Sequence, residues 1–273
     1  MKNTLKENTL KVGIALGAGS ARGWSHIGVL RALEKAGIKP QIVCGSSIGA
    51  LVGAVYAHQD LDALEDWVLD LTWRKVLGFF DISFNGGFLK GAKLIAFLRE
   101  NLLDKTIEDL ALPFGAVATD LQSGREIWLR EGRAADAVRA SIALPGLFAP
   151  CELNGRLLVD GALVNPVPVS LCRAMGADFV IGVDLGSARA ERHAHGSRRD
   201  WTPNMIEVVA ESISIMQVRI ARSRLAGEPA DVLITPRLGD VGALEYHRAA
   251  ESIKEGRSAA EMMLPQIRQL LGD

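Results

Sequence analysis

Short apolar runs and helically spaced apolar positions alternate along the chain from residue 12 onward. Val12–Leu16 is an apolar run closed by glycines and predicts a buried strand. Trp24–Lys35 carries Ile27, Leu30 and Leu33 at helical spacing and stops at Gly37. Gln41–Cys44 predicts a second strand, and Ile48–His58 a second, apolar helix. Two strand–turn–helix units in series predict a parallel sheet with right-handed crossovers, and so an α/β fold. Further strands are expected at Phe114–Thr119, Glu126–Arg130, Phe179–Asp184 and Val232–Thr235. Glu152–Leu153 and Leu157–Val159 form a strand pair around a turn at Asn154-Gly155. Helices are expected from Ala134 to near the Pro145-Gly146 turn, then over Pro168–Ala174, Met205–Leu225 and Leu244–Leu271, the last kinked at Pro265.

Two regions depart from this alternation. Residues 60–110 are helix-rich and hold Trp67, Trp73, Phe79, Phe80, Phe84, Phe88 and Phe97, which predicts a helical cap beside the sheet. Its amphipathic segment Lys93–Leu103 is expected to pack on the core in preference to facing substrate. Residues 186–203 are rich in Ser, Gly and Arg and predict a mobile, solvated loop. Arg189, Arg192, Arg198 and Arg199 there would attract anionic headgroups if the loop bordered a substrate entrance. Met205–Leu225 is apolar on more than one face, which places it in the core or in a contact between copies, hence an expected homo-oligomer. No repeat or linker divides the chain, so residues 1–273 are expected to form one domain.

Composition narrows the partners. A chain of 273 residues with 48% hydrophobic content buries a large core. A net charge of -1, with both signs well mixed, argues against nucleic-acid binding by bulk electrostatics. Cys44, Cys151 and Cys172 are odd in number, lack CxxC spacing and sit among apolar neighbours. They read as buried free thiols in a reducing compartment, hence a cytoplasmic location. The polar N-terminus lacks a secretory signal, and the longest apolar stretch, Ile48–Ala57, is too short for a bilayer. Contact with a membrane surface stays open. No ligand spacing suggests a metal, and no cofactor is expected.

Three features carry chemistry. Gly45-Ser46-Ser47-Ile48-Gly49 is a G-x-S-x-G between an apolar strand and an apolar helix. That setting puts a serine on a sharp strained turn, with its hydroxyl exposed at a helix N-terminus. Gly17-Ala18-Gly19-Ser20-Ala21-Arg22-Gly23, after the first strand, gathers backbone N–H groups into one concavity for an anion. The anion is either a pyrophosphate or a tetrahedral oxyanion. A dinucleotide fingerprint needs G-x-G-x-x-G and a carboxylate ending the second strand. Here the spacing is longer, and that strand ends in Cys44-Gly45-Ser46, so the oxyanion reading is favoured. Arg22 either steadies the loop or binds a substrate phosphate.

A serine nucleophile needs a proton acceptor. Among the histidines, His26 packs after the glycine loop, His58 ends the elbow helix, and His193 and His195 lie in the polar loop. Only His247 suits a Ser–Asp–His order. Asp160 is the better candidate: Leu157-Leu158-Val159 is an apolar strand broken by Asp160-Gly161. A carboxylate at the end of a buried strand is desolvated and so a stronger base, although an Asp-Gly turn alone is common.

The set GAGSARG, GSSIG and VDGALVNPVPV resembles the patatin-like phospholipase family. The likeness extends through ARGWSHIGVLRAL, VATDLQSGREIWLREG and RASIALPGLFAP to EYHRAAESIKEGRSAA, and is greatest to the bacterial branch related to the neuropathy-target-esterase catalytic domain. It implies a three-layer α/β/α fold with a mostly parallel sheet and a helical cap. It also implies a Ser47–Asp160 dyad, an oxyanion hole built by Gly17, Ala18, Gly19 and Ser20, a lipid ester substrate and an acyl-serine intermediate. Ala18 and Ser20 replace glycines often seen in that loop, a change that keeps the backbone donors. Two alternatives remain: a Ser–His–Asp esterase using His247, and a non-catalytic phosphate- or nucleotide-binding regulatory module. An acyltransferase would use the same acyl-enzyme.

Overall fold

The computed structural model describes residues 10–75, 96, 98–100, 103–186 and 205–272. Five strands are parallel, in the order β3 (Phe114–Asp120), β2 (Ile42–Ser46), β1 (Val12–Leu16), β7 (Phe179–Val183) and β8 (Val232–Ile234). Three antiparallel strands complete the sheet: β4 (Glu126–Leu129) and β6 (Arg156–Asp160) both pair with β3, and β5 (Cys151–Leu153) pairs with β6. The β5–β6 turn falls at Asn154-Gly155 as the sequence predicts. Both residues have positive φ, 52° and 71°, which is why Asn and Gly occupy them.

Period-two alternation sorts the parallel strands onto two cores. Ile14, Leu16, Val43, Ile181 and Val183 face one side, where helices α1 (Ser25–Lys35), α2 (Ile48–His58) and α7 (Ala249–Leu271) pack. Ala15, Cys44 and Val180 face the other, against helix α5 (Val169–Ala174). The result is the expected three-layer α/β/α arrangement. The α5 side is built of small residues because the helix lies close. A Cβ on Gly13 would meet Ala177 at 2.7 Å, and one on Gly115 would meet Met175 at 2.9 Å. Helices α1 and α7 also cross closely, Gly28 against the Ile253 carbonyl and Gly256 against the Ser25 backbone. Helix α2 is buried along Ile48–Ala57, which explains an apolar sequence without a polar face.

One feature of the sheet positions the site. Residues 116–119 of β3 pair with β4, 114–117 with β2, and 118–120 with β6. A strand has only two edges, so β2 and β6 must share the edge opposite β4, one after the other. The register passes from Ser46↔Val117 directly to Ala118↔Asp160. The end of β6 is thereby delivered to the carboxyl end of β2.

Several boundaries differ from expectation. The glycine loop closes into a 3-10 turn, Ser20–Trp24, so α1 begins at Ser25 rather than Trp24. The last helix begins at Ala249, not Leu244, after a 3-10 turn at Tyr246–Arg248. The Glu245 carboxylate takes the Gly242 N–H at 2.7 Å and Arg248 at 2.8 Å, which closes a turn in place of a helical start. Helix α7 continues through Pro265. In the cap region, α3 (Leu61–Leu69) is a helix, whereas Phe79, Phe80, Phe84, Phe88, Phe97 and most of Lys93–Leu103 lie outside the described residues. So does the 186–203 loop, apart from Gly186. Helix α6 (Met205–Gly227) leaves Ile215 and Met216 each 52% exposed, so that face is not in the core of this chain. No helix among the described residues is long and apolar enough to cross a membrane.

Candidate active site

The G-x-S-x-G segment forms a tight strand-to-helix elbow. Ser47 has φ 55° and ψ −127°, outside the regions ordinary for a residue with a side chain. Strain of this kind costs about 1–3 kcal/mol and persists only where the surroundings impose it. They do so here. A Cβ on Gly45 would strike the backbone of Gly49 and Ala50, and one on Gly49 would strike the Leu16 carbonyl. The Ser47 N–H donates to the Ser141 hydroxyl at 2.9 Å, and that hydroxyl donates to the Val117 carbonyl at 2.6 Å.

Ser141 thus ties the elbow to the neighbouring strand, from the end of helix α4 (Ala134–Ser141). Sequence reasoning assigned it no role. The available signal was a serine inside the apolar stretch ASIALPG, just before the Pro-Gly turn. Ser141→Ala should lower ester turnover about tenfold while costing about 1–3 kcal/mol of stability, because two buried backbone groups lose their partner. Parallel measurement of kcat and a urea denaturation curve checks both.

The hydroxyl of Ser47 donates to Asp160 Oδ2 at 2.6 Å. The other oxygen, Oδ1, accepts the Ala162 N–H at 2.8 Å. The Asp160 backbone is locked as well: its N–H donates to Ala143 O at 3.0 Å, and its carbonyl accepts the Thr119 hydroxyl at 2.8 Å. Gly161 is required by close approach, since a Cβ there would lie against Val117 O and 2.9 Å from Ser46 Oγ. Asp160 is fully buried. Burial raises its pKa to about 6, against the opposing hydrogen bonds from Ser47 and Ala162. A carboxylate tuned this way holds a proton more readily than an exposed one and releases it near neutral pH.

The glycine loop lies beside Ser47 at the end of β1. Of the four residues expected to offer oxyanion donors, two do not. The Gly17 N–H donates to Val183 O at 3.0 Å and the Ala18 N–H to Pro166 O at 2.9 Å, so both are consumed in anchoring the loop. The Ala21 and Arg22 amides are likewise taken, by Ala243 O and Gly19 O. The N–H groups of Gly19 and Ser20 meet no carbonyl among the described residues. Ser20 is held in the left-handed region at φ 55°. Ile48 adds a third N–H, at the first turn of α2, where helix amides have no internal partner.

His26 and His58 occupy structural posts in this arrangement. His26 is buried, and burial lowers its pKa to about 4, so the ring is neutral. Its Nε2 lies 2.7 Å from the Gly17 carbonyl, which can only accept, so Nε2 carries the proton and braces the loop. His58 pairs with Asp104 at 3.0 Å, and His247 is exposed on its 3-10 turn. His193 and His195 lie outside the described residues.

Ser47, Gly19, Ser20 and Ile48 open onto one cavity of about 420 Å³, within the range of small-molecule sites. Its remaining wall is largely apolar, with Trp24, Leu51, Trp67, Leu144, Phe148 and Ile213 among the contributors. Arg22 also borders it and is 9% exposed. Such a lining suits a hydrocarbon chain leading to a carbonyl at the elbow. Among the described residues, no group of His, Cys, Asp or Glu side chains is placed to hold a metal ion.

A family model described as patatin-like phospholipase matches residues 14–173, more than half of the chain. The chain belongs to the patatin-like phospholipase family. As a member it is a lipid-ester hydrolase, and the matched segment contains both the elbow and Asp160. An NTE family protein of Mycobacterium bovis is 32% identical over 93% of this chain and 91% of its own length. Patatin-like phospholipase domain-containing protein 6 of Mus musculus is 36% identical over 64% of this chain and 14% of its own. The protein named lysophospholipase NTE1 from Pyricularia oryzae is 30% identical over 94% of this chain and 18% of its own. The structure of VipD from Legionella pneumophila shares the fold, with a TM-score of 0.50 and 16% identity over 94% of this chain and 67% of that one. The patatin-like segment ends at residue 173, yet the cavity does not: α6 and the turn before α7 complete its wall.

Proposed function

We propose that this protein hydrolyses carboxylic esters of phospholipids or lysophospholipids by a Ser47–Asp160 dyad. The observation that carries the reading is the 2.6 Å hydrogen bond to a fully buried carboxylate from Ser47 Oγ, whose residue lines an apolar cavity. Asp160 Oδ2 takes the hydroxyl proton as Ser47 Oγ bonds to the ester carbonyl carbon. The N–H groups of Gly19 and Ser20, with Ile48, receive the negative oxygen, and the N-terminus of α2 favours the same charge. Collapse of the tetrahedral intermediate breaks the bond to the alcohol, which leaves with the proton from Asp160. Water then attacks the acyl-Ser47 carbonyl and gives a proton to Asp160. Collapse of the second tetrahedral intermediate breaks the bond to Ser47 Oγ, which takes that proton back from Asp160 as the fatty acid leaves.

Arg22 is assigned first to loop support, because a cation so little exposed has scant room for a phosphate headgroup. The name of the fungal relative favours lysophospholipids among the candidate substrates. Fluorophosphonate labelling, followed by a panel of p-nitrophenyl esters, lysophosphatidylcholine and diacyl phosphatidylcholine, tests the reading. Label on Ser47 with turnover of acyl esters is expected. A folded protein that neither labels nor hydrolyses any of them would instead support a regulatory module. A lone His247→Ala variant that loses activity about a hundredfold while staying folded would move the enzyme to a histidine triad.

A further inference from the structure

Ser20 is a side-chain-bearing residue at a backbone angle, φ 55°, that glycine adopts freely. Its side chain is not idle. Ser20 Oγ lies 2.8 Å from the Tyr246 hydroxyl, across 226 residues of sequence. Two further bonds join the same pair of segments: the Ala21 N–H donates to Ala243 O at 3.1 Å, and Trp24 Nε1 donates to Tyr246 O at 3.2 Å. The Tyr246 ring also meets Trp24 edge-on, with centroids 5.9 Å apart. On its far side, the turn carrying Tyr246 is closed by the Glu245 carboxylate on Gly242 N–H and Arg248. None of these C-terminal residues falls in the segment matched by the family model.

We propose that Tyr246 is a positioning residue for ester hydrolysis, its hydroxyl holding Ser20 so that the Ser20 and Gly19 N–H groups face the oxyanion. The inference rests on the dyad reading above and adds to it the part of the chain that sets the donors. The first anchors of the loop, Gly17 and Ala18, fix its base only, through Val183 and Pro166. Its distal half, Ser20 to Trp24, is held by the turn at residues 243–246. A donor that swings out of line stabilises the transition state less while leaving ground-state binding in the apolar cavity unchanged. Tyr246 therefore acts on kcat through Ser20, without touching the reacting atoms. Burial raises the phenol pKa above its ordinary value, against the lowering effect of the Ser20 hydrogen bond and with a smaller contribution from the Asp160 charge, so the hydroxyl stays protonated through the working range.

The test uses the full chain and a p-nitrophenyl ester. Tyr246→Phe removes one oxygen and keeps the ring on Trp24. It should lower kcat about tenfold with KM within about twofold, and weaken inhibition by an alkyl trifluoromethyl ketone, which forms an oxyanion on Ser47, by about the same factor. Ser20→Ala breaks the bond from the other side and should give the same loss. The double variant should be no worse than either single, since both remove one interaction. Full kcat in Tyr246→Phe, or additive losses in the double variant, would overturn the assignment. So would a loss explained by a lower melting midpoint. If Tyr246→Phe does not fold, Ser20→Ala alone decides through the split between kcat and KM. Inactive wild-type protein would sink the dyad reading itself, whereas active wild type with an equally active Tyr246→Phe would sink only this inference.

Discussion

Asp160→Asn is expected to reduce ester turnover about a thousandfold or more while leaving the fold intact. The amide has the shape of the carboxylate and can keep the Ala162 N–H on its oxygen, but it cannot accept a proton from Ser47. Ser47→Ala should be at least as severe, because no acyl-enzyme can form, and it should abolish labelling by a fluorophosphonate. The two residues act as one unit, so the double variant should be little worse than either single. Steady-state kinetics on a p-nitrophenyl ester, with circular dichroism to certify folding, gives all three numbers. Independent, multiplying losses would show that Asp160 serves some other step. Substantial residual turnover in folded Asp160→Asn would point to another base for Ser47.

The second expectation concerns pH, and it runs in opposite directions for activity and for stability. Asp160 must be ionised to accept a proton, and its pKa is raised to about 6 by burial. The ratio kcat/KM should therefore fall about tenfold for each pH unit below about 6, giving a limb that Asp160→Asn lacks. An unfolded aspartate titrates near 3.9, so between about 4 and 6 the folded state binds the extra proton. Its stabilising effect is complete below about 4 and is lost as pH rises through 6. At pH 8 the native protein thus carries an ionised, buried Asp160 at a cost of about 3 kcal/mol. Asparagine has no such charge. Asp160→Asn should melt higher than wild type at pH 8, with the difference shrinking toward pH 4. This is the usual exchange of stability for activity at a catalytic centre. An unchanged melting difference across that range would mean that Asp160 is not the group tuned by burial.

Much of this is legible in the sequence alone. The apolar runs at Val12–Leu16, Ile42–Cys44 and Phe179–Val183 are strands, and their alternation with helices implies a parallel sheet. The elbow could be read because its requirement is local: a serine at φ 55° needs neighbours without a Cβ, and Gly45 and Gly49 lie within two residues of it. Asp160 could be singled out because an apolar strand ending in Asp-Gly is visible in five residues. The last helix starts at Ala249 and not at Leu244, because Glu245 forms side-chain bonds to Gly242 and Arg248 that no hydrophobic period records.

Local sequence determined the elements, the strained turn at Ser47 and the candidate carboxylate, since backbone sterics and apolar periodicity act between near neighbours. Tertiary structure decided which groups meet. Asp160 reaches Ser47 because β6 takes over the edge of β3 where β2 stops, which brings together two residues 113 apart in the sequence. Gly17 and Ala18 lose their amides to Val183 and Pro166, and Ser20 finds Tyr246, across comparable separations. A backbone N–H has one proton to donate, and its partner is settled by what the folded chain brings within 3 Å of it. No spacing in the sequence encodes that choice.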